Sequence, residues 1–218
     1  MQVVSLVTQK GGSGKSTMAA CLAVAAHEAG ENVFIIDMDP QGSLTQWSKT
    51  RGENDIPVEA IPHGKLERAL ALLAKNGVSL VIIDTAGTES AATTAAMRAA
   101  NLCVIPVRPA VFDIWASEAT RKTLRSLRRD YVFLLNQCPA AQDSERMREG
   151  AKALESLGGL LTPLVAARVD YQEAAKHGWG VTEYAPAGKA ADEMRHLWKS
   201  LKRRLAKGKP AAKARKAA

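Results

Sequence analysis

The sequence predicts an α/β fold in which a doubly wound, mostly parallel sheet is flanked by helices. Short apolar runs alternate along the chain with segments that have helical spacing, which is typical of successive β-α-β units. Several of these runs end in Asp or Asn, at the strand ends where α/β sheets gather their ligands. A glycine-rich turn joins the first run to the first helical segment. Together these observations favour a single sheet with helices on both faces.

The predicted elements follow one another in a regular order. The apolar runs that predict strands are residues 3–7, 32–39, 58–61, 79–84, 102–107, 131–136 and 160–166. Helical spacing or composition marks residues 18–26, 66–73, 91–100, 115–127, 143–156 and 194–205. Gly30 is placed to end the first helix. Between residues 49 and 64 we expect irregular structure apart from the short strand.

Length and composition favour one globular domain. The chain has 218 residues, of which 46% are hydrophobic, so a full core is expected and extensive disorder is not. No apolar run approaches the length that spans a bilayer, and the first residues enter a strand without a signal-peptide pattern. We therefore expect a cytoplasmic protein without stable membrane insertion.

The positive charge of the chain is concentrated at its C-terminal end. The formal net charge is +8, but all 22 acidic residues lie at or before Glu193, and ten of the 30 Lys and Arg residues follow it. Residues 1–194 therefore carry about −2 by the same count. We expect residues 1–206 to form the folded domain and residues 207–218 to be a basic, disordered tail.

The three cysteines give no sign of a metal site or a disulfide framework. Cys21, Cys103 and Cys138 are far apart in the sequence, and none belongs to a C-x-x-C pair. We interpret all three as structural residues.

The turn at residues 9–17 has the composition of a phosphate-binding loop. A strand, a glycine-rich turn and a helix N-terminus place backbone N–H groups around a concavity that suits a phosphate chain. Lys15 lies where a loop lysine reaches the β- and γ-phosphates, and Ser16 can give its hydroxyl to Mg²⁺. The candidate nucleotide-binding residues are Gly11, Gly12, Ser13, Gly14, Lys15, Ser16 and Thr17. The common pattern has glycine where this chain has Gln9, and it does not explain Lys10.

The run Lys-Gly-Gly-x-Gly-Lys-Ser-Thr resembles the deviant Walker A loop of the ParA/MinD family of ATPases, which are P-loop NTPases. In that family the extra lysine, here Lys10, crosses a dimer interface to touch the nucleotide bound by the partner. The resemblance implies ATP and Mg²⁺ as ligands and a homodimer that forms on ATP binding. The alternative is that Lys10 is a surface lysine that happens to precede a phosphate loop.

Acidic residues at two predicted strand ends extend the resemblance. The run Asp-Met-Asp-Pro-Gln at residues 37–41 is similar to the switch of the family. By position, Asp39 would orient the attacking water and Asp37 would support Mg²⁺ through its water shell. Asp84 occupies the Walker B position, from which it would hold a magnesium-bound water opposite Ser16. The alternative for residues 37–41 is a strand followed by a capped turn.

Three further residues match the family. Asn136, at the end of the run 131–136, would hydrogen-bond the adenine base. The alternative is an asparagine that serves a turn before Pro139. Pro109 and Asp113 would shape the nucleotide and dimer face.

The C-terminal helix allows three interpretations. Its apolar residues form one stripe, and basic residues surround it. The stripe could dock on the domain, it could bind a membrane surface, or the cations could bind DNA. We expect docking, which leaves the basic face available for DNA.

The resemblance extends from residue 3 to about residue 205, and it is strongest to small ParA-type partitioning ATPases without an N-terminal DNA-binding domain. It implies a slow, Mg²⁺-dependent ATPase that associates with the nucleoid through nonspecific DNA binding. A ParB-like or adaptor protein would stimulate hydrolysis, and the cargo would be a plasmid, a chromosome region or a protein assembly. The alternatives are a MinD-like membrane-cycling ATPase and an iron–sulfur protein, although the latter would need paired cysteines.

Overall fold

A computed structural model describes residues 1–139 and 145–207, which form one sheet with helices on both faces. The strands are β1 (Gln2–Leu6), β2 (Val33–Asp37), β3 (Val58–Ala60), β4 (Leu80–Asp84), β5 (Leu102–Val107) and β6 (Tyr131–Leu135). The helices are α1 (Lys15–Glu28), α2 (Ser43–Arg51), α3 (Leu66–Lys75), α4 (Ala91–Ala99), α5 (Val111–Ser126), α6 (Glu145–Gly158), α7 (Asp170–Lys176), α8 (Val181–Tyr184) and α9 (Lys189–Lys207). The predicted fold class is confirmed.

The order of the strands decides which strand ends, and therefore which acidic residues, lie next to one another. The sheet has the order β3-β2-β4-β1-β5-β6, and every pairing between these strands is parallel. The chain winds outward from β1 in both directions, so the carboxyl ends of β1, β4 and β2 lie side by side. Asp84 pairs in register with Leu6 on one side and with Asp37 on the other.

Both faces of the sheet are covered, which explains why the strands are apolar throughout. Alternate residues such as Leu6 and Ile35 face a layer that contains α1 and α9. Their neighbours, such as Ile36, lie on the other face of the sheet and pack against α3 and α4. On that same face, β5 and β6 pack against α5 and α6. The helices on the two sides therefore clamp the sheet that carries the site.

Helix α9 docks on the domain. Its apolar stripe is buried, and it consists of Met194, Leu197, Trp198, Leu201 and Leu205. Lys199, Lys202, Arg203 and Arg204 are exposed on the same helix, and Lys202 forms an ion pair with Glu31 at 2.7 Å beside the stripe. The helix ends at Lys207, and the rest of the predicted basic tail lies outside the described residues. Among the helices of residues 1–139 and 145–207, none is long and apolar enough to cross a membrane.

Two segments differ from the prediction. The strand predicted at residues 160–166 is wrong, because only Leu160 and Ala166 make isolated bridges, to Phe133 and Cys138. Pro163 lies between them and has no N–H to donate to a ladder. The segment predicted as irregular from residue 49 begins as the last turn of α2, where Arg51 contacts the distant Gly178.

The cysteines are structural. Cys21, Cys103 and Cys138 are buried and free, and burial raises the pKa of each thiol to about 12. Thiols in such surroundings are poor nucleophiles and poor metal ligands.

Truncation of the docked stripe should destabilise the whole domain. We expect Leu201→Ala, at a residue that is 0% exposed, to lower the free energy of unfolding by about 2–5 kcal/mol. The matched control is Leu72→Ala on α3, where the side chain is 57% exposed and the expected loss is within about 0.5 kcal/mol. Urea unfolding measures both values, and equal losses would contradict the docking of α9.

Candidate nucleotide-binding site

The loop between β1 and α1 forms a glycine cradle. Gly12 and Gly14 have φ angles of 73° and 87°, in the left-handed region that favours glycine. Gly14 is the N-cap of α1, so Lys15 and Ser16 open the helix with its N-terminal N–H groups. A Cβ atom on Gly14 would lie 2.4 Å from Asn136 Nδ2, and one on Gly87 would lie 2.9 Å from Gly11 Cα. The loop is therefore packed closely from two sides.

Side chains at the end of β6 hold the cradle. Asn136 Nδ2 donates to the carbonyl oxygen of Ser13 at 2.8 Å, and Gln137 Nε2 donates to that of Gly12 at 3.0 Å. Gln137 itself has a φ of 56°, which is uncommon for a residue other than glycine. Asn136 is thus a support of the phosphate loop, a contact that the sequence did not predict, and Gln137 was not identified from the sequence at all.

Ser16 and Asp84 form the candidate Mg²⁺ site. Ser16 Oγ donates to Asp84 Oδ2 at 2.5 Å. Asp84 is fully buried, and its Oδ1 atom has no hydrogen-bond partner within the described part of the chain. Burial raises the pKa of Asp84 to about 7, although Ser16 and Lys15 oppose the shift. A buried carboxylate oxygen without a partner is expected where a bound ligand completes the site.

The oxygen donors fit Mg²⁺. One hydroxyl and nearby carboxylates are the ligands that this ion accepts, since it keeps several waters and takes further oxygens from phosphates. Among residues 1–139 and 145–207 no cluster of three or more His, Cys, Asp or Glu side chains could hold a metal unaided. The Ser16 hydroxyl and the nearby carboxylates therefore suit a metal that also takes oxygens from a bound phosphate.

Asp37 and Asp39 lie at the end of β2, beside this pair. Asp37 is buried, and its Oδ2 atom accepts from both the backbone N–H and the hydroxyl of Thr45, at 2.9 and 3.0 Å. Its Oδ1 atom accepts from the N–H of Asp39 at 3.2 Å. Asp39 is half-buried, and its own carboxylate accepts from the N–H of Gln41. Asp37 therefore ties the strand end to α2.

Lys15 and Lys10 have different surroundings. Lys15 is 7% exposed, and burial lowers its pKa against the opposing charges of Asp84 and Asp39. Lys10 is half-exposed, with its Nζ atom 2.8 Å from Asp113 Oδ2. Arg108 Nε also binds that carboxylate, at 2.8 Å from Oδ1. Burial raises the pKa of Asp113, but the bonds from Arg108 and Lys10 outweigh it, and the net shift is downward.

A cavity of about 440 Å³ opens beside the loop. Its lining residues are Gly14, Thr17, Met18, Asn136, Gln137, Ala166, Ala167, Arg168, Val169, Tyr171 and Gln172. Arg168 Nη2 donates to Glu193 Oε1 of α9 at 2.6 Å, which fixes this wall. The volume and the neighbouring glycine cradle suit a nucleoside whose phosphates lie in the loop. A groove of about 920 Å³ along α9 is larger, but none of its lining residues is shared with this cavity.

The structure thus gathers the sequence-predicted site residues at one edge of the sheet. Lys10, the loop residues, Asp37, Asp39, Asp84 and Asn136 all lie at or just after the carboxyl ends of parallel strands. The supporting residues Thr45, Arg108 and Arg168 carry no motif of their own, and their contacts are visible only in the folded chain. A strand, a glycine cradle, a helix N-terminus and a neighbouring nucleoside-sized cavity define a P-loop nucleotide-binding protein.

Comparison with known proteins gives the family. Residues 4–207 match the model of the CobQ/CobB/MinD/ParA nucleotide binding domain. The chain belongs to this family, as the deviant loop indicated. It is 28% identical over 204 residues to the "Maintenance of carboxysome distribution protein A" of Halothiobacillus neapolitanus, in a match that covers 89% of this chain and 93% of that protein.

Solved structures agree on the fold. A putative plasmid partition protein from Borrelia burgdorferi bound to AMPPNP superimposes with a TM-score of 0.77 at 15% identity, over 93% of this chain and 99% of that one. The septum site-determining protein MinD of Pyrococcus horikoshii, complexed with Mg-ADP, gives a TM-score of 0.72 at 19% identity. That match covers 92% of this chain and 95% of the MinD chain.

The contact between Asn136 and the loop generates a test of its role. We expect Asn136→Ala to weaken ATP binding about tenfold, since an unpaired buried carbonyl costs about 1–3 kcal/mol and 1.4 kcal/mol is tenfold. Tripolyphosphate, which has no base, should lose affinity to the same extent if the side chain acts on the loop. Calorimetry measures both ligands, with Asn76→Ala on the surface as the control. Unchanged tripolyphosphate affinity would instead assign Asn136 to the adenine base.

Proposed function

We propose that the protein is a ParA-like ATPase that forms an ATP-sandwich dimer, binds DNA nonspecifically and hydrolyses ATP to position a cargo. The cargo would be a plasmid, a chromosome region or a protein assembly, and a ParB-like or adaptor protein would stimulate hydrolysis. The observation that carries this proposal is the presence of two lysines at one phosphate loop, one buried and one half-exposed. The buried lysine serves its own site, and the half-exposed one is accessible to a second copy.

Each residue then has a place in the reaction. Lys15 and the loop N–H groups bind the phosphates, where the buried ammonium acts at low dielectric. Ser16 would ligate Mg²⁺, with Asp84 and Asp37 on its waters, and the bound ion would neutralise phosphate charge. Asp39 would orient the attacking water from the half-buried end of β2. We expect slow turnover, as the resemblance to the ParA/MinD family implies.

Lys10 is suited to move between two partners. Its ammonium is 2.8 Å from Asp113 in the single chain, and Arg108 binds the same carboxylate. When Lys10 turns toward a second copy, Asp113 keeps its pair with Arg108 and does not become an isolated buried charge. The exchange therefore costs less than the loss of a lone ion pair would.

The surface of α9 supports the DNA-binding part of the proposal. Lys199, Arg203 and Arg204 are exposed on the helix, and residues 208–218 add four more cations. An ATP-dependent dimer would present two such surfaces, which raises affinity without any new contact. The related proteins carry names that refer to carboxysome distribution and plasmid partition, both of which are positioning tasks. Binding to the nucleoid in the cytoplasm would serve such a task.

The MinD-like alternative is less favoured. Membrane binding by the C-terminal helix would need its apolar stripe, but Leu197 and Leu201 are 0% exposed and lie in the core. The similarity to solved MinD structures concerns the fold. DNA binding needs the exposed basic face instead, which docking leaves accessible.

The role of Lys10 is tested by dimerisation in a background that retains ATP. We expect Asp39→Ala to accumulate a dimer with Mg-ATP, because the nucleotide is bound without being consumed. Adding Lys10→Ala should abolish that dimer while ATP still binds, because the partner's nucleotide then lacks the positive charge that Lys10 supplies. Analytical ultracentrifugation measures the mass, and Lys75→Ala on the exposed end of α3 is the matched control. If the double variant dimerises with the same affinity as Asp39→Ala alone, Lys10 is a surface lysine with no role in the dimer.

The basic tail is tested by the salt dependence of DNA binding. Removal of residues 208–218 leaves α9 whole and deletes Lys209, Lys213, Arg215 and Lys216. We expect weaker binding of random-sequence DNA, and a log–log salt slope smaller by about 0.9 for each phosphate that the shortened chain no longer neutralises. Fluorescence anisotropy with ATP measures both quantities. The control is Lys65→Gln with Lys75→Gln at the two ends of α3, and an unchanged slope after truncation would place the DNA-binding cations elsewhere.

A further inference from the structure

The guanidinium of Arg51 is a buried junction at the end of α2. Its side chain is 4% exposed. Nε and Nη2 donate to the two carboxylate oxygens of Asp55 at 2.8 and 2.6 Å, and Nη1 and Nη2 donate to those of Glu183 at 2.9 and 2.7 Å. Nη1 also donates to the carbonyl oxygen of Gly178 at 3.1 Å. All five N–H donors of the guanidinium are used.

Further contacts attach α2 to the same place. The indole N–H of Trp47 donates to the carbonyl oxygen of Trp179 at 3.2 Å, and the Arg51 guanidinium lies 5.4 Å from the centre of the Trp47 ring. Gly178 has a φ of 69°, and a Cβ atom there would lie 2.2 Å from the backbone N of Arg51. The end of α2 and residues 178–183 therefore form one close-packed junction, the Arg51 junction.

The other end of α2 holds the Asp37 and Asp39 loop. Thr45 binds Asp37 through its N–H and its hydroxyl, and it lies about 9 Å from Arg51 along the helix axis. The helix buries Leu44 and Trp47 in the core, and the other seven of its nine residues are half-buried or exposed. Its placement depends strongly on the polar contacts at its two ends.

The Arg51 junction also reaches the nucleotide cavity from its other side. Glu183 Oε2 accepts from the N–H of Gly180 at 2.8 Å, at the start of α8. Helix α8 packs against α7, and Tyr171 and Gln172 of α7 line the cavity of about 440 Å³. The cavity wall has a separate anchor in the Arg168–Glu193 pair, so the loop that carries Asp39 depends on Arg51 more than the wall does.

We propose that Arg51 is a positioning residue for ATP hydrolysis, which clamps α2 and so sets Asp39 relative to the nucleotide. The inference rests on the proposed ATPase function. Lysine cannot reproduce the role, because an ammonium has no planar fork that binds two carboxylates at once. A displacement of about 1 Å at Asp39 is enough to slow a reaction roughly a hundredfold.

The decisive variant is Arg51→Lys, which keeps the charge and removes the fork. We expect kcat to fall roughly ten- to a hundredfold, while KM and the affinity for AMPPNP stay within about threefold. Thr45→Val should lower kcat as well, and the double variant should lose less than the product of the two effects, since both act through α2. Arg121→Lys is the matched control, because Arg121 is 14% exposed and holds α5 to the Leu157 carbonyl. It should leave kcat unchanged.

A second measurement does not depend on hydrolysis. Hydrogen exchange of the ATP-free protein should be faster at residues 38–45 in Arg51→Lys than in the wild type, and unchanged in Arg121→Lys. Wild-type kcat or unchanged exchange in Arg51→Lys, even with a lowered Tm, would overturn the positioning role. A wild-type protein that hydrolyses no ATP would refute the proposed function, and the exchange result would still decide whether Arg51 positions the loop.

Discussion

The site depends on charges of both signs being held close together at the carboxyl edge of the sheet. Asp37 and Asp84 end neighbouring strands in the same register, and Lys15 is buried beside them. Burial lowers the pKa of Lys15 and raises that of Asp84, and the charge of each group opposes the shift of the other. Because an isolated charge is costly in such a place, removing either group takes a compensating charge from the other. The β1, β4 and β2 order is what brings them together.

Around these charges lies a set of supports drawn from distant parts of the chain. Asn136 holds the loop from the end of β6, Thr45 holds Asp37 from α2, and Glu193 holds Arg168 from α9. The helix that carries the exposed cations thus also fixes one wall of the nucleotide cavity.

Much of the fold could be predicted from the sequence. Parallel strands that are buried on both faces are apolar along their whole length, so each strand is recognisable in the sequence as a continuous apolar run. Strands β1 to β6 lie where such runs were expected. The predicted strand at residues 160–166 was wrong because an apolar run can also cover a sheet edge as an irregular segment, here interrupted by Pro163. Helix α2 was not predicted, because its polar sequence offers little amphipathic signal.

Local patterns identify the residues whose chemistry requires a fixed spacing: the glycine loop with its two lysines, and the acids that follow buried strands. The groups that support these residues become visible only in the folded chain. Asn136 donates to a loop carbonyl, Asp113 is shared by Lys10 and Arg108, and Arg51 joins α2 to Glu183. Apart from the Arg108–Asp113 pair, these contacts link residues far apart in the chain, and a side chain that works through one distant partner leaves no local spacing by which it can be recognised.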